Sequence, residues 1–271
     1  MHYRDYRNYY SAYNEYVYVK QMRENGKHRI TFTPKHAVFY VITALVLSLP
    51  ASSQSSELID LDNIQHRKVR KYIEVRNIDK LTDFSSLQPS WKAGIIESEF
   101  NTDRRTFFFR DKISRVWDKY RFCDPMQSWK GRFVRVSLLI SKESNSVYYP
   151  AQPLRLMLDT GQVYFLNLRF LEGLFKLPVA FEIINIDPTE RMIEYSYLED
   201  NIEKGKQTIQ LFDEGENRTK VVHTSYFRSE SKFRDNVIYP FFHKKIIRDF
   251  HKKMRRLDNR QKREIISLTS S

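Results

Sequence analysis

"VAFEIINIDPTERMIEYSYL", residues 179–198, contains two apolar segments joined by the turn-forming sequence "DPTE". The pattern recurs in "KQTIQLFDEGENRTKVVHTSYF", residues 206–227, where "DEGENR" is the turn. Apolar and polar residues alternate along each segment, so that Ile193, Tyr195 and Tyr197 fall on one face of theirs. Two consecutive β-hairpins with at least one covered face are therefore predicted.

The chain changes to helical spacing in "DNVIYPFFHKKIIRDFHKKMRRLDN", residues 235–259. Its apolar residues recur every three or four positions, which is the spacing of one helix face. They are Tyr239, Phe242, Ile246, Phe250, Met254 and Leu257. The Lys and Arg residues fall largely on the other faces. One long, basic C-terminal helix is predicted to close the fold, with Pro240 confined to its first turn.

The segments before the hairpins add a helix and further strands. "RDKISRVWDKYRF", residues 110–122, has the spacing of an amphipathic helix, and residues 133–140 have the β-branched composition of a strand. The apolar segments 153–161 and 163–175 are predicted to be buried, but their pattern leaves helix and strand both open. The predicted fold class is α+β, an antiparallel β-sheet gripping the C-terminal helix.

Composition indicates a folded chain with a substantial core. Of the 271 residues, 41% are hydrophobic, and Phe and Tyr number 19 and 17. Aromatic density rises sharply at about Ser90. We therefore predict an N-terminal extension or linker over 54–90, an α+β domain over 91–260 and a frayed tail over 261–271.

Residues 1–53 are predicted to be an N-terminal extension with a signal peptide or signal anchor. The apolar run at 37–49 has 13 residues, whereas a bilayer-spanning helix needs roughly 20. Basic residues precede the run and small residues follow it, which favours export with cleavage near Ser53. The alternative is a membrane anchor through the same run. Translation from Met22 would give the signal a normal length, and the true start is left open.

Few reactive groups are suggested by the sequence. Cys123 is the single cysteine, so an intramolecular disulfide is excluded, and its aromatic neighbours favour a buried structural thiol. His243 and His251 are eight residues apart, about 12 Å along a helix, which is too far to share one metal ion. No metal and no cofactor are predicted, and catalytic residues are left unknown. The net charge of +13 favours acidic partners.

The order of these elements resembles the START-like helix-grip superfamily, the SRPBCC group. The resemblance rests on "ISRVWDKY", on the strands, and on a long terminal helix carrying aromatic residues, and it covers roughly 105–257. Within the superfamily, "YSYLEDNIEKGKQTIQLFDEGENRTKVVHTSYFR" followed by "YPFFHKKIIRDFHKKM" is similar to the uncharacterised DUF1990-type branch.

The resemblance implies a cavity between sheet and helix that holds a hydrophobic small molecule or lipid. Its first candidate lining residues are Tyr195, Tyr197, Tyr226, Phe242 and Phe250. Two alternatives stay open. One is a core that is simply filled. The other is a cavity enzyme in which His223 or Glu194 acts as acid or base, although alternation also allows both to face solvent.

The basic face of 244–263 is either a solvated surface or one attracted to an anionic membrane. Nucleic acid is not an expected partner if the protein is exported. The function predicted from the sequence is thus an exported, periplasmic or secreted, or membrane-associated domain that binds a hydrophobic small molecule or lipid.

Overall fold

The structure, a computed structural model, describes residues 58–150, 156–170, 173, 175–199, 201–232, 235 and 239–257. The predicted signal or anchor segment, the cleavage position near Ser53 and the tail at 261–271 lie outside the described residues. Within the residues that are described, no helix is both long enough and apolar enough to cross a membrane.

The described strands are β1 (Asn101–Phe109), β2 (Val134–Ser141), β3 (Ser146–Tyr148), β4 (Gln162–Phe170), β5 (Phe175–Asp187), β6 (Met192–Tyr197), β7 (Lys204–Asp213) and β8 (Thr219–Arg228). They form one antiparallel sheet in the order β1–β8–β7–β6–β5–β4–β2–β3. The described α-helices are α1 (Arg67–Val75), α2 (Ile113–Phe122), α3 (Pro125–Ser128) and α4 (Tyr239–Arg256).

The long helix α4 lies on one face of the sheet, as its apolar stripe predicts. Tyr239, Ile246, Phe250 and Met254 are buried in the main core together with inward-facing residues of the strands. The amphipathic helix α2 contributes to the same core from the position that its spacing predicts. The predicted class, an α+β fold in which an antiparallel sheet grips the C-terminal helix, is confirmed.

Both predicted hairpins are present, as β5–β6 and β7–β8. Their innermost pairs are Asp187 with Met192 and Asp213 with Thr219. The pairing of β7 with β8 depends on Gly205, whose φ is +135°. A Cβ atom there would collide with the backbone oxygen of Tyr226 on β8, so glycine allows the two strands to approach.

Of the segment 163–175, which the sequence left open, residues 163–170 belong to β4 and Phe175 begins β5. The side chains of β4 are buried on both faces of the sheet. Tyr164 and Leu166 belong to the core under α4, whereas Val163 and Phe165 belong to a second core on the opposite face. Apolar residues are favoured on both sides of a strand that is covered on both faces. Apolar and polar residues therefore do not alternate along β4, and its sequence lacks the period of two that identifies a strand.

The second core corrects the predicted domain boundary near Ser90. From residue 58 onward, the chain packs against the face of the sheet opposite α4. Val69 and Ile73 of α1, with Phe84 further along, are buried against strand residues that include Phe165. The interpretation of the described part of 54–90 as a linker is therefore wrong, because this part supplies one wall of the folded unit.

Candidate functional site

An apolar cavity of about 90 Å³ lies between the sheet and α4. Aliphatic and aromatic side chains of β4, β5 and α4, such as Leu166, Val179 and Ile246, make up most of its lining. The polar lining groups come mainly from β6, β7 and α4. They are Tyr195, Tyr197, Glu203, Gln207, Tyr239 and His243. The cavity thus has an apolar wall and a polar end.

Gln207 is the centre of a hydrogen-bond network at the polar end. Its Oε1 accepts from His223 Nε2 at 2.8 Å, from Tyr195 Oη at 3.1 Å and from His243 Nε2 at 3.1 Å. Its Nε2 donates to Tyr197 Oη at 2.8 Å. The amide therefore joins side chains from β6, β8 and α4, and the whole group is buried.

A chain of hydrogen bonds continues from this centre into the core. His223 Nδ1 lies 2.9 Å from His251 Nε2, and His251 Nδ1 lies 2.6 Å from Tyr120 Oη. Since Gln207 Oε1 is an acceptor, the proton of neutral His223 is on Nε2. His251 then donates from Nε2 and accepts from the Tyr120 hydroxyl. All four groups are satisfied by this one arrangement.

Strand alternation explains why these polar side chains face α4. Gln207 lies two residues before Ile209 on β7, and His223 lies two residues after Val221 on β8. Residues two apart share a face. Gln207 and His223 therefore face α4, as the core residues Ile209 and Val221 do. His251 lies on the buried face of α4, where it stacks on a ring of β1.

Burial keeps the histidines of this network neutral at neutral pH. Burial lowers the pKa of His223 well below 6.5, and neighbouring His251 lowers it further. Burial lowers the pKa of His251 to about 3. Both are fully buried, and removing an imidazolium from water disfavours the charged form.

His243 differs from the other two because a carboxylate lies beside it. Its Nδ1 is buried, has no hydrogen-bond partner among the described residues and lies 3.6 Å from Asp103 Oδ2, while Asp103 also pairs with Arg105. Burial lowers the pKa of His243, and the proximity of Asp103 partly offsets this effect. The ring thus lies between a carboxylate on one side and the oxygen of Gln207 on the other.

Among the residues that the structure describes, no group of three His, Cys, Asp or Glu side chains is arranged to hold a metal ion. The three histidines nevertheless meet. The ring of His223 lies 6.1 Å from that of His243 and 5.1 Å from that of His251, centroid to centroid. Two histidines on successive parts of one helix reach a common partner on the sheet, which spacing along the helix alone did not reveal.

The structure brings together four of the five predicted lining residues and separates the fifth. Tyr195, Tyr197 and Phe242 line the cavity. Phe250 is buried beside it and stacks on Trp129 at 4.3 Å between ring centroids.

Tyr226 does not line the cavity, and its assignment as a lining residue is wrong. It is an even-numbered residue of β8, so it points to the face opposite α4, where its ring lies 5.9 Å from that of Trp91. Glu194 lies on that face as well and pairs with Lys206 at 3.0 Å. His223 and Glu194, the two candidate acid–base residues, are therefore on opposite faces of the sheet and cannot act on one substrate.

Cys123 packs at the edge of the core, and burial raises the pKa of its thiol to about 12. A thiol with this pKa is protonated at neutral pH and is a poor nucleophile. The geometry agrees with the structural role that its aromatic neighbours indicate.

A basic surface lies on the outward side of α4 and along β1. It is formed by Arg104, Arg105, Lys244, Lys245, Arg248, Lys252 and Arg255, with Asp249 among them. In the part of the chain that the structure describes, Lys244, Arg248 and Lys252 are exposed and have no ion-pair partner. The described part of the predicted basic face, residues 244–257, thus presents exposed positive charge, and residues 258–263 lie outside the described residues.

The fold and the site define an α+β protein with a helix-grip arrangement and a partly polar cavity under the helix. No family model matches the sequence, and no curated protein matches it. Norcoclaurine synthase from Thalictrum flavum, in complex with dopamine and hydroxybenzaldehyde, is a similar solved structure. It has a TM-score of 0.42 and 13% identity, and the likeness covers 63% of this chain and 94% of that chain.

Two further solved structures are similar to the same degree. A major latex-like protein from Panax ginseng has a TM-score of 0.40 and 10% identity, covering 57% of this chain and 95% of its own. A conserved protein from Geobacillus kaustophilus has a TM-score of 0.41 and 16% identity, covering 62% and 96%. At these values nothing about function follows for this chain, and membership of the DUF1990-type branch stays a prediction.

Proposed function

We propose that the domain binds a small, largely apolar molecule in the cavity between the sheet and α4. The observation that carries the proposal is the composition of the cavity lining. An apolar wall with a few converging polar groups is the usual constitution of a small-molecule site. The polar groups here, such as Tyr197 and Gln207, are held in place by the hydrogen-bond network behind them.

The size of the cavity limits the ligand. Its volume of about 90 Å³ is well below the roughly 300–1,000 Å³ of sites for drug-sized ligands. It is nearer to the roughly 150 Å³ apolar cavity that admits benzene. We therefore expect the enclosed part of the ligand to be about one small ring or a short alkyl chain. A lipid or larger molecule would place the rest of its structure outside.

The competing hypothesis is a filled core with no ligand, and benzene distinguishes the two. Methyl NMR of the protein titrated with benzene should show saturable shifts for Leu166 and Val179, which line the cavity. Val179→Phe should abolish these shifts, because the larger ring occupies the space. Val147→Phe adds the same bulk on the opposite face and should leave them intact. Shifts that are absent, or equal in both variants, would favour the filled core.

A second proposal concerns the basic surface, which we propose binds an anionic membrane. Exposed and unpaired Lys and Arg side chains such as Lys244 and Lys252 support it, since each is worth roughly 1 kcal/mol near an anionic bilayer. The export predicted from residues 1–53 belongs to the same proposal. Mass spectrometry of the protein from an export-competent cell should find a chain that begins at Gln54.

Vesicle flotation tests the membrane proposal. The protein should float with vesicles that contain phosphatidylserine and remain in solution with pure phosphatidylcholine. Lys244→Glu with Lys252→Glu should reduce binding at least tenfold. The control pair, Lys68→Glu with Lys71→Glu, changes charge equally on exposed residues of α1 across the sheet. Equal losses in both pairs would mean that net charge, and not this surface, determines binding.

A further inference from the structure

The hydroxyl groups of Tyr197 and Tyr239 form a pair at the polar end of the cavity. Their oxygens are 2.7 Å apart, and Gln207 Nε2 donates to the Tyr197 oxygen at 2.8 Å. Each phenol carries one proton, so the pair has two and the contact between the oxygens uses one. Among the described residues, neither hydroxyl has another acceptor within hydrogen-bond distance. One hydroxyl proton therefore remains unused.

The neighbouring amide oxygen has no capacity left. Gln207 Oε1 already lies 2.8 Å from His223 Nε2, 3.1 Å from Tyr195 Oη and 3.1 Å from His243 Nε2. A carbonyl oxygen has two lone pairs, and the protons of His223 Nε2 and Tyr195 Oη already occupy both. The unused group of this network is thus the hydroxyl donor of the tyrosine pair, and the amide oxygen of Gln207 cannot accept it.

The unused proton is retained over the ordinary pH range. Burial raises the pKa of Tyr239 well above 10, and the neighbouring Tyr197 raises it further. Burial also raises the pKa of Tyr197, although its hydrogen bonds lower it in part. Neither phenol ionises at neutral pH, so both remain neutral hydrogen-bond donors.

We infer that the cavity selects small apolar molecules that carry a neutral hydrogen-bond acceptor, such as a ketone, which accepts the spare proton of the Tyr197–Tyr239 pair. The inference rests on the proposed binding function and names its ligand class. A ligand without an acceptor that fills the cavity leaves the proton unpaired, whereas a ketone of the same shape satisfies it.

Three probes with five-membered rings separate the possibilities. Cyclopentanone carries an acceptor, methylenecyclopentane replaces the carbonyl by an isosteric apolar group, and pyrrole carries a donor. Methyl NMR titrations of the full chain measure all three dissociation constants. We expect cyclopentanone to bind about three- to tenfold more tightly than methylenecyclopentane, as one neutral hydrogen bond allows. The infrared carbonyl stretch of bound cyclopentanone should fall relative to that in an apolar solvent.

The proton count makes different predictions for two nearly isosteric substitutions. In Gln207→Glu, the new carboxylate oxygen accepts the Tyr197 proton, and Tyr197 then accepts that of Tyr239. Both protons are used, so the preference for the ketone should disappear. In Tyr239→Phe, the proton of Tyr197 has no partner and stays available, so the preference should remain. Loss of the preference in Tyr239→Phe but not in Gln207→Glu would overturn the inference.

The wild-type measurements decide the matter even if Gln207→Glu does not fold. If methylenecyclopentane binds as well as cyclopentanone, binding stands and the inference fails. If pyrrole binds best, the cavity recognises its ligand through an acceptor rather than a donor, and the inference also fails. If no probe binds, the proposed function itself fails and the inference falls with it.

Discussion

Replacing Gln207 with Leu should destabilise the fold more than any other single change in the buried network. The substitution keeps roughly the same length of side chain but removes the acceptor shared by His223, Tyr195 and His243. It also removes the donor to Tyr197. None of these groups can turn to water, because all of them are buried.

The size of the loss depends on whether the chain of hydrogen bonds can reverse. Two buried donors left unpaired, one for each lone pair of the lost oxygen, would together cost about 2–6 kcal/mol, at about 1–3 kcal/mol each. A tautomer change lets His223 donate to His251 and accept from Tyr195, which lies 3.1 Å from its Nε2. His251 then donates to Tyr120, whose own proton is left without an acceptor. Reversing the direction of the hydrogen bonds thus reduces the number of unpaired groups. We therefore expect Gln207→Leu to lower the free energy of unfolding by about 2–5 kcal/mol.

Urea denaturation measures the loss, and Gln210→Leu is its matched control. Gln210 lies three residues along β7 and points to the opposite face, where it makes no side-chain hydrogen bond within the described part of the chain. Its replacement should change the free energy of unfolding by less than about 0.5 kcal/mol. Equal losses in the two variants would refute the network argument. Histidine ¹⁵N spectra of Gln207→Leu would show whether the tautomers reverse.

Three further predictions concern acid stability, thiol reactivity and the second face of the sheet. The pKa of His251 is about 3 in the folded state and 6.5 in the unfolded chain. The stability that the neutral His251 ring contributes is therefore complete above pH 6.5 and is lost as the pH falls below it. Between pH 6 and 4, the free energy of unfolding of His251→Phe should therefore fall less steeply than that of the wild type, and the two slopes should differ by about 1.4 kcal/mol per pH unit. Equal slopes would contradict the assignment. Cys123, with a pKa of about 12, should react with iodoacetamide at pH 8 only after unfolding, and labelling of the native protein at the unfolded rate would contradict its burial. Ile73→Ala should cost about 2–5 kcal/mol and Val75→Ala less than about 0.5 kcal/mol, since the residues are 0% and 66% exposed. Equal costs would mean that α1 does not pack as described.

The hairpins and the long helix were predictable because each buries one face. Residues such as Ile193 and Tyr195 alternate with polar neighbours, and the stripe from Tyr239 to Met254 follows the helical period. β4 was not predictable, because both of its faces are covered and the period disappears. Residues 58–90 were misread because their apolar side chains are spread over short turns and one short helix. Such segments carry little periodic signal until the surface that they cover is known.

The polar network was missed for a different reason. Polar residues in a strand are ordinarily assigned to the solvent face, and this assumption outweighed the alternation that places Gln207 beside Ile209 and His223 beside Val221. The same alternation, applied without that assumption, would also have placed Tyr226 on the opposite face. The sequence thus contained the information, because residues separated by an even number of positions along a strand share a face. What the sequence did not show is that the inward-facing polar groups satisfy one another.

The two kinds of contact made by α4 lie on different sides of the helix. Tyr239, His243 and His251 form hydrogen bonds to β6, β7 and β8, and these bonds fix distance and orientation. Phe242 and Ile246 instead face the apolar cavity wall of β4 and β5, where contacts are non-directional. A helix held in this way is fixed along one edge and adjustable along the other. The apolar wall of the cavity lies at the adjustable edge, and its polar end lies at the fixed edge, so an apolar group can be accommodated against the wall without breaking a buried hydrogen bond.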